Sequence, residues 1–149
     1  MRRTTLFAFS MLGFLALTSV VFAVRVRLDA DLTPVSGINA GGRVDSDINT
    51  QRPDQNEFRA RLIINSGSFT TLGVNPASPA GSSVSVVLSD GTTVALSNFT
   101  DMRVNGVGDV TWDTVIRGAS APAPAVRSTV TAMVNGGTAA TWIFRRGAK

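Results

Sequence analysis

A strict alternation of apolar and charged side chains over Val24–Leu32 is the feature that most constrains this chain. The segment reads Val-Arg-Val-Arg-Leu-Asp-Ala-Asp-Leu, so in an extended strand five apolar residues lie on one face and four charged residues on the other. The same period returns over Glu57–Ile64, with Phe58 beginning its apolar face. No helical periodicity follows Phe22. The sequence therefore predicts β-strands.

Short apolar segments separated by Gly, Pro, Asn and Asp continue to the end of the chain, including Phe69–Val74, Met102–Val107 and Val110–Arg117. Pro-rich residues 119–124 read as an extended connector. This spacing predicts about eight or nine strands. The predicted fold is all-β, an immunoglobulin-like or related antiparallel β-sandwich, with a small β-barrel as the alternative.

The sequence predicts the register of a first hairpin, which turns at Ser89-Asp90-Gly91. A three-residue loop pairs Val84 with Leu96 and Val86 with Val94, which keeps apolar residues on one face. It also places Gly91 at the left-handed position of a bulged loop, where glycine is favoured. A two-residue loop would mix the two faces.

A second hairpin is predicted to turn at Asn135-Gly136-Gly137 by the same logic. The predicted cross-strand pairs, with Gly137 at the bulge, are Val134 with Thr138, Ala132 with Ala140, and Val130 with Trp142.

The first 23 residues have the order of a secretory signal peptide. Arg2 and Arg3 precede an apolar run over Leu6–Phe22, and the small residues Val21 and Ala23 flank the end of that run. The sequence predicts a signal-peptide helix over 1–23, cleavage after Ala23 and one domain over 24–149. The expected location is secreted, periplasmic or extracellular, with no membrane span after processing.

Charge composition argues against a nucleic-acid partner. The chain has 14 Arg plus Lys against 10 Asp plus Glu, and two of the arginines lie in the predicted signal segment. Arg and Asp alternate instead of forming a basic stripe with interleaved aromatics, which is what nucleic-acid binding requires.

The absence of His and Cys excludes most enzyme chemistry, because the chain cannot supply a Ser-His-Asp triad, a Cys nucleophile or a zinc site. A carboxylate hydrolase needs a general acid with a raised pKa. Glu57, the only Glu, shares its strand face with Arg59 and Arg61, which lowers its pKa. Asp101, Asp109 and Asp113 occupy turn-like positions. The sequence predicts that the protein is not an enzyme.

Four aspartates, Asp29, Asp31, Asp45 and Asp47, alternate along the first two predicted strands. One register places Asp29 opposite Asp47 and Asp31 opposite Asp45, which would suit Ca²⁺ and is the only cofactor alternative. A second register pairs Arg27 with Asp45, Arg25 with Asp47, and Asp29 with Arg43. Opposite charges on facing strands favour this second register.

The favoured register extends to the third strand, with Arg61 opposite Asp45 and Arg59 opposite Asp47. It predicts an exposed charge lattice composed of Arg25, Arg27, Arg43, Asp45, Asp47, Arg59 and Arg61.

Trp112 is the one candidate for carbohydrate binding, since exposed aromatic faces stack on sugar rings. Its strand face also carries Val110 and Ile116, so the core is the favoured location. Trp142 shares a face with Ala140 and Phe144 and is predicted to be core as well.

These observations predict an envelope or extracellular binding or structural module with an unknown protein or polysaccharide partner. A carbohydrate-binding module, a calcium-binding protein and a donor-strand assembly subunit are the alternatives. The complementary charges of Arg43, Asp45 and Asp47 favour pairing of the first strand within its own domain.

Three segments together resemble small secreted bacterial all-β domains of unassigned function: Val24–Leu32, the Ser36–Gly42 loop and Glu57–Leu62. The resemblance implies a bacterial envelope or extracellular protein, and it transfers no functional residues.

Overall fold

Antiparallel strands make up most of this protein, whose computed structural model describes residues 25–147. Strands account for 54% and helical turns for 7%, which confirms the all-β prediction. The predicted signal peptide lies outside the described residues. The strands are β1 (Arg25–Pro34), β2 (Ala40–Asn49), β3 (Glu57–Asn65), β4 (Val84–Leu88), β5 (Thr93–Ala95), β6 (Asn98–Asp101), β7 (Asp109–Arg117), β8 (Thr129–Val134), β9 (Gly137–Ile143) and β10 (Arg145–Arg146). Single-turn 3₁₀ helices lie at Pro53–Gln55, Ser66–Ser68 and Pro79–Gly81.

The strands follow one hydrogen-bonded path in the order β5-β4-β8-β9-β1-β2-β3-β7-β6, and β10 also pairs with β1. One edge of β1 pairs with β2 along most of its length. The other edge pairs with β10 near Leu28 and with β9 at Thr33 and Pro34. The described strands thus form a single curled antiparallel sheet, a half-barrel, in which β1 joins the two halves.

The apolar faces predicted for the alternating segments form the core. In β1 the buried residues are Leu28, Ala30 and Leu32, and β3 buries all four apolar residues on its inner face. The largest fully buried side chains among the described residues come from four different segments: Trp112, Phe58, Phe69 and Phe144. This core stabilises the fold without disulfides, since the chain has no Cys.

The strand predicted over Phe69–Val74 is wrong. This segment follows the 3₁₀ helix at Ser66–Ser68 and folds into successive turns, in which the amides of Leu72 and Val74 donate to the Ser68 and Phe69 carbonyls. Phe69, Leu72 and Val74 are nevertheless buried. Its apolar residues are core as the pattern indicated, but local turn hydrogen bonds replace a sheet ladder.

The Pro-rich connector over 119–124 links β7 in one half of the sheet to β8 in the other. Ala121 is buried, and the Ser46 hydroxyl donates to the Pro122 carbonyl at 3.2 Å. Ser46 lies on the inner face of β2, so its buried polar group finds a partner only because the connector crosses there.

The first predicted hairpin register is confirmed. Val86 lies opposite Val94, and the Leu96 amide donates to the Val84 carbonyl at 2.9 Å. Gly91 has a φ of +88°, the left-handed conformation that the three-residue loop requires.

The strand pairing of the second hairpin is predicted correctly for the residues far from the turn and wrongly for the residues next to it. Val130 with Trp142 and Ala132 with Ala140 pair as expected, but Val134 lies opposite Gly137 rather than Thr138. Asn135 and Gly136 both have positive φ, 49° and 83°, which is the two-residue turn that favours an Asn-Gly pair. The irregularity therefore falls between Ala132 and Met133 on β8 and at Ala139 on β9, instead of at Gly137.

Gly42 generates a prediction about stability, because a side chain there would collide with the neighbouring strand. A Cβ would lie in hard contact with the Arg61 carbonyl oxygen and 3.1 Å from Leu62 Cα, and the φ of Gly42 is +151°. We expect Gly42→Ala to lower the free energy of unfolding by about 2–4 kcal/mol in urea titrations. Gly41→Ala is the control, with open space around the new methyl group, and should change stability by less than about 1 kcal/mol. Equal losses would contradict this steric account.

Candidate functional site

The outer faces of β1, β2 and β3 carry the charges that the sequence placed opposite the apolar face. We call this surface the charged face; its members are Arg25, Arg27, Asp29, Asp31, Arg43, Asp45, Asp47, Glu57, Arg59 and Arg61. Part of it lines a shallow cavity of about 570 Å³. The charged face contains every residue of the predicted charge lattice.

Neither predicted register of β1 against β2 is correct. The observed register lies midway between them, with Arg27 opposite Asp47, Asp29 opposite Asp45, and Asp31 opposite Arg43. The connecting loop closes through a turn in which the Ile38 amide donates to the Val35 carbonyl at 3.1 Å. Gly37 in this turn has a φ of +82°. Two of the three facing pairs are oppositely charged, and one, Asp29 with Asp45, is like-charged, so the register satisfies most of the charge complementarity but not all of it.

Arg43 offsets the repulsion between the facing carboxylates of Asp29 and Asp45. Its guanidinium lies 2.8 Å from Asp45, 3.3 Å from Asp31 and 3.8 Å from Asp29. The long side chain reaches diagonal as well as directly opposite neighbours. A like-charged facing pair is thus tolerated, which explains why opposite-charge counting failed to predict the register.

Asp47 is the most enclosed carboxylate of the charged-face ion pairs. Its side chain is 15% exposed and accepts two hydrogen bonds from Arg25, at 2.8 and 2.7 Å, and one from Arg27 at 3.4 Å. The hydrogen bonds from Arg25 hold the pKa of Asp47 below its usual value. Asp47 therefore stays ionised under ordinary conditions.

The pairing of β3 also differs from the prediction by two residues. Asp45 lies opposite Arg59, Asp47 opposite Glu57, and Arg43 opposite Arg61. Among the described residues Arg61 makes no ion pair, although it faces Asp113 on β7. The predicted arrangement of each central Asp between two arginines is therefore wrong, because Asp45 lies between Asp29 and Arg59, and Asp47 lies between Arg27 and Glu57.

Glu57 is bound by two arginines. It accepts hydrogen bonds from Arg59 and, at 2.7 Å, from Arg117 on β7. The pKa of Glu57 is lowered most by the hydrogen bond from Arg59 and next by the hydrogen bond from Arg117. Sequence alternation identified Arg59, but Arg117 is 60 residues away and only the sheet brings it near.

The four aspartates considered for Ca²⁺ do not form an acidic cluster. Asp29, Asp31 and Asp45 all face the Arg43 guanidinium, whereas Asp47 is bound by Arg25 and Arg27. Across residues 25–147 no three acidic side chains are grouped so that they could hold a metal ion. Their carboxylate oxygens are already engaged by guanidinium groups, which does not fit the oxygen-rich shell that Ca²⁺ requires.

Trp112 lies in the core with 2% of its surface exposed, and its ring contacts Phe99 with 5.2 Å between centroids. The core location is confirmed, and a ring buried in this way offers no exposed face on which a sugar could stack. Trp142 is only partly buried, and the Arg145 guanidinium lies 5.2 Å from its ring centroid.

A surface that the sequence prediction missed lies at the end of the β6–β7 hairpin. Residues 102–108 are here called the hairpin tip. A strand was predicted over Met102–Val107, but the tip contains only one bridge, between Val104 and Val107. Asn105 and Gly106 make the turn, with φ of 53° and 80°. The Asn-Gly pair is a known hairpin signal and would have located the turn. Three large apolar side chains are exposed there: Met102 at 70%, Val104 at 74% and Val107 at 69%.

Arg103 anchors the hairpin tip to the body of the protein. Its side chain is 12% exposed, is bound to Asp101 at 2.6 Å and donates to the Pro76 carbonyl at 2.9 Å. The guanidinium also lies 5.3 Å from the Phe69 ring centroid. Hydrogen bonds from Arg103 lower the pKa of Asp101 to about 2. The one charged residue between positions 102 and 107 is therefore turned away from the exposed apolar side chains.

Comparisons with known proteins found no match among family models, curated proteins or solved structures. Within residues 25–147 there is no helix long and apolar enough to cross a membrane. The resemblance to small secreted bacterial domains remains a prediction.

Asp47→Asn tests whether the charged face contributes to stability. The pKa of Asp47 is lowered in the folded state, so its contribution exists above its ordinary pKa of 3.8 and is lost as the pH falls below that value. We expect a loss of about 1 kcal/mol in the free energy of unfolding at pH 7 and low salt, shrinking in 1 M NaCl and at low pH. The control, Asp54→Asn, removes an exposed carboxylate without an ion pair in the described chain. An equal loss in both variants would contradict this role.

Acidification should release the anchor of the hairpin tip. Because the folded-state pKa of Asp101 is about 2, its carboxylate stays ionised and bound to Arg103 down to about pH 3, and the bond is lost as the pH falls through about 2. Amide NMR signals of Gly106 and Gly108 should shift over that interval. In Asp101→Asn they should already be shifted at pH 7, and that titration should be absent. A tip whose signals do not respond to either change would show that the ion pair does not hold it.

Proposed function

We propose that this protein is an exported, non-enzymatic binding module whose hairpin tip contacts a protein partner. The observation that carries the proposal is the exposure of Met102, Val104 and Val107 on a turn that the fold holds in place. Exposed apolar groups in a cluster are typical of interaction sites, whereas single ones are common on any surface.

The anchoring of the hairpin tip supports a binding role. Arg103 ties the tip to Asp101 and Pro76, and Gly108 allows close approach, since a Cβ there would lie 3.2 Å from Arg103 Cα. A tip that is already ordered loses less conformational entropy on binding than a mobile loop. Burial of each exposed Met or Val side chain would contribute about 1.5–3 kcal/mol at most.

The charged face supports a structural role in this proposal. Hydrogen bonds from arginines lower the pKa values of Asp47 and Glu57, the direction opposite to that needed by a general acid near neutral pH. These carboxylates serve to hold the strands through ion pairs, and the partner binds elsewhere.

A protein partner is favoured over a polysaccharide because the hairpin tip is aliphatic and offers no aromatic face for a sugar ring. Donor-strand exchange is not part of the proposal, since β1 pairs on both edges within its own chain. The two halves of the curled sheet, joined at β1, serve here as a sandwich-like scaffold for the tip. Export is inferred from the signal-like residues 1–23.

A photo-crosslinking residue at Val104 tests the proposal in the producing cells. We expect a discrete protein adduct at Val104 that is absent when the same residue replaces Val115, an apolar side chain on β7 that is 44% exposed. With the identified partner purified, Val104→Asp should weaken binding at least tenfold, and Val115→Asp less than twofold.

Three outcomes would contradict this function. They are equal crosslinking at the two positions, unchanged affinity in Val104→Asp, and tip-dependent binding to phosphatidylcholine vesicles without any protein adduct. Circular dichroism of each variant should confirm that the fold is retained.

A further inference from the structure

A second surface lies beside the β8–β9 hairpin, at the end opposite its turn. There the residues that precede β8 run alongside the residues that follow β9. The Arg127 amide donates to the Phe144 carbonyl at 2.8 Å, and the Phe144 amide donates to the Ser128 carbonyl at 2.9 Å. These two bonds hold the segment before β8 beside the end of β9. These two segments line a groove of about 400 Å³, here called the basic groove, whose lining residues are Val126, Arg127, Ile143, Phe144, Arg145 and Arg146.

The basic groove differs from the charged face in its balance of charge. Arg127, Arg145 and Arg146 make no ion pair with any described residue, and no acidic residue lines the groove. On the charged face, by contrast, each carboxylate from β1 and β2 is paired with an arginine. Asp29 lies opposite Arg145 in the sheet register, but its ion pair is with Arg43. These three cations thus lack a neutralising carboxylate among the described residues.

The lining of the groove is apolar between the cations. Val126 is 41% exposed and Ile143 46% exposed, and Phe144, which also lines the groove, is buried. These two aliphatic side chains are in contact with water, and a ligand side chain that covered them would remove apolar surface from water. A ligand that fits this groove would therefore combine an apolar side chain with flanking negative charge.

Arg145 is positioned in advance for such a ligand. Its guanidinium is stacked 5.2 Å from the Trp142 ring centroid, which restricts the side chain while leaving its exposed N–H groups able to donate. Guanidinium groups bind carboxylates through two parallel hydrogen bonds, so planar acidic groups are their preferred partners. Arg127 has a φ of +66°, an uncommon conformation for a residue with a side chain, and this backbone places it beside the groove.

We infer that the basic groove binds an acidic peptide segment of a partner protein, in which carboxylates flank one aliphatic side chain. The aliphatic side chain would cover Val126 and Ile143, and the carboxylates would pair with Arg127, Arg145 and Arg146. A peptide side chain flanked by carboxylates supplies both the apolar group and the negative charges that match this lining, whereas an anionic membrane presents charged headgroups above its apolar chains. This site is separate from the hairpin tip and does not depend on the proposed function.

Fluorescence anisotropy with a labelled, end-capped peptide that has two glutamates on each side of a leucine tests the inference. We expect saturable binding that weakens at least fivefold in Arg146→Gln and in Arg127→Gln. Arg52→Gln is the matched control, since Arg52 is another exposed arginine without an ion pair in residues 25–147, and should change the affinity less than twofold. Replacing the leucine of the peptide by serine should weaken binding at least threefold.

Amide shift mapping on the unaltered protein gives a measurement that does not depend on variant folding. Added peptide should shift the signals of Val126, Ile143 and Arg145, and not those of the hairpin tip. No saturable binding up to 1 mM, an equal effect of Arg52→Gln, or shifts outside the groove would overturn the inference. Groove-dependent binding to phosphatidylglycerol vesicles but not to the peptide would overturn it as well. Failure of this test leaves the crosslinking result at Val104 unaffected.

Discussion

The pairing of β1 along both of its edges is the constraint on which the rest of the structure depends. β2 occupies one edge, while β9 and β10 occupy the other, so a single ten-residue strand joins both halves of the curled sheet. Its inner face contributes Leu28, Ala30 and Leu32 to the core, and its outer face begins the network of ion pairs. A chain without disulfides is thus closed by backbone hydrogen bonds and apolar burial.

The ion pairs adapt to the strand register of the sheet and do not by themselves select it. Arg43 reaches three carboxylates at different positions, and Glu57 is shared by arginines on two strands. Because arginine side chains are long, several registers can satisfy the same set of charges, so each pair adds only a small preference. In the observed register Asp29 faces Asp45. This register keeps the apolar face continuous, and the turn at 35–38 connects its two strands.

Two surfaces differ from the charged face, where arginines and carboxylates of neighbouring strands form ion pairs. The hairpin tip exposes aliphatic side chains while its arginine is turned inward, and the basic groove exposes arginines that no described carboxylate neutralises. Both are preorganised, one by the bond between Arg103 and Asp101 and the other by the stack of Arg145 on Trp142. On β1 and β2, by contrast, every described charged side chain is in an ion pair, and this contrast is the basis on which we propose that the two surfaces contact other molecules.

The sequence by itself determined the all-β class, the inner faces of β1 and β3 and the three-residue turn at Gly91, because alternation and turn chemistry are local properties of neighbouring residues. It also indicated the core location of Trp112 and the lowered pKa of Glu57. Only the tertiary structure decided the β1–β2 register, the single curled sheet, the exposure of Val104 and the convergence of Arg127 with Arg145. These depend on which distant strands meet, and residues far apart in sequence leave no periodic signal of their contact.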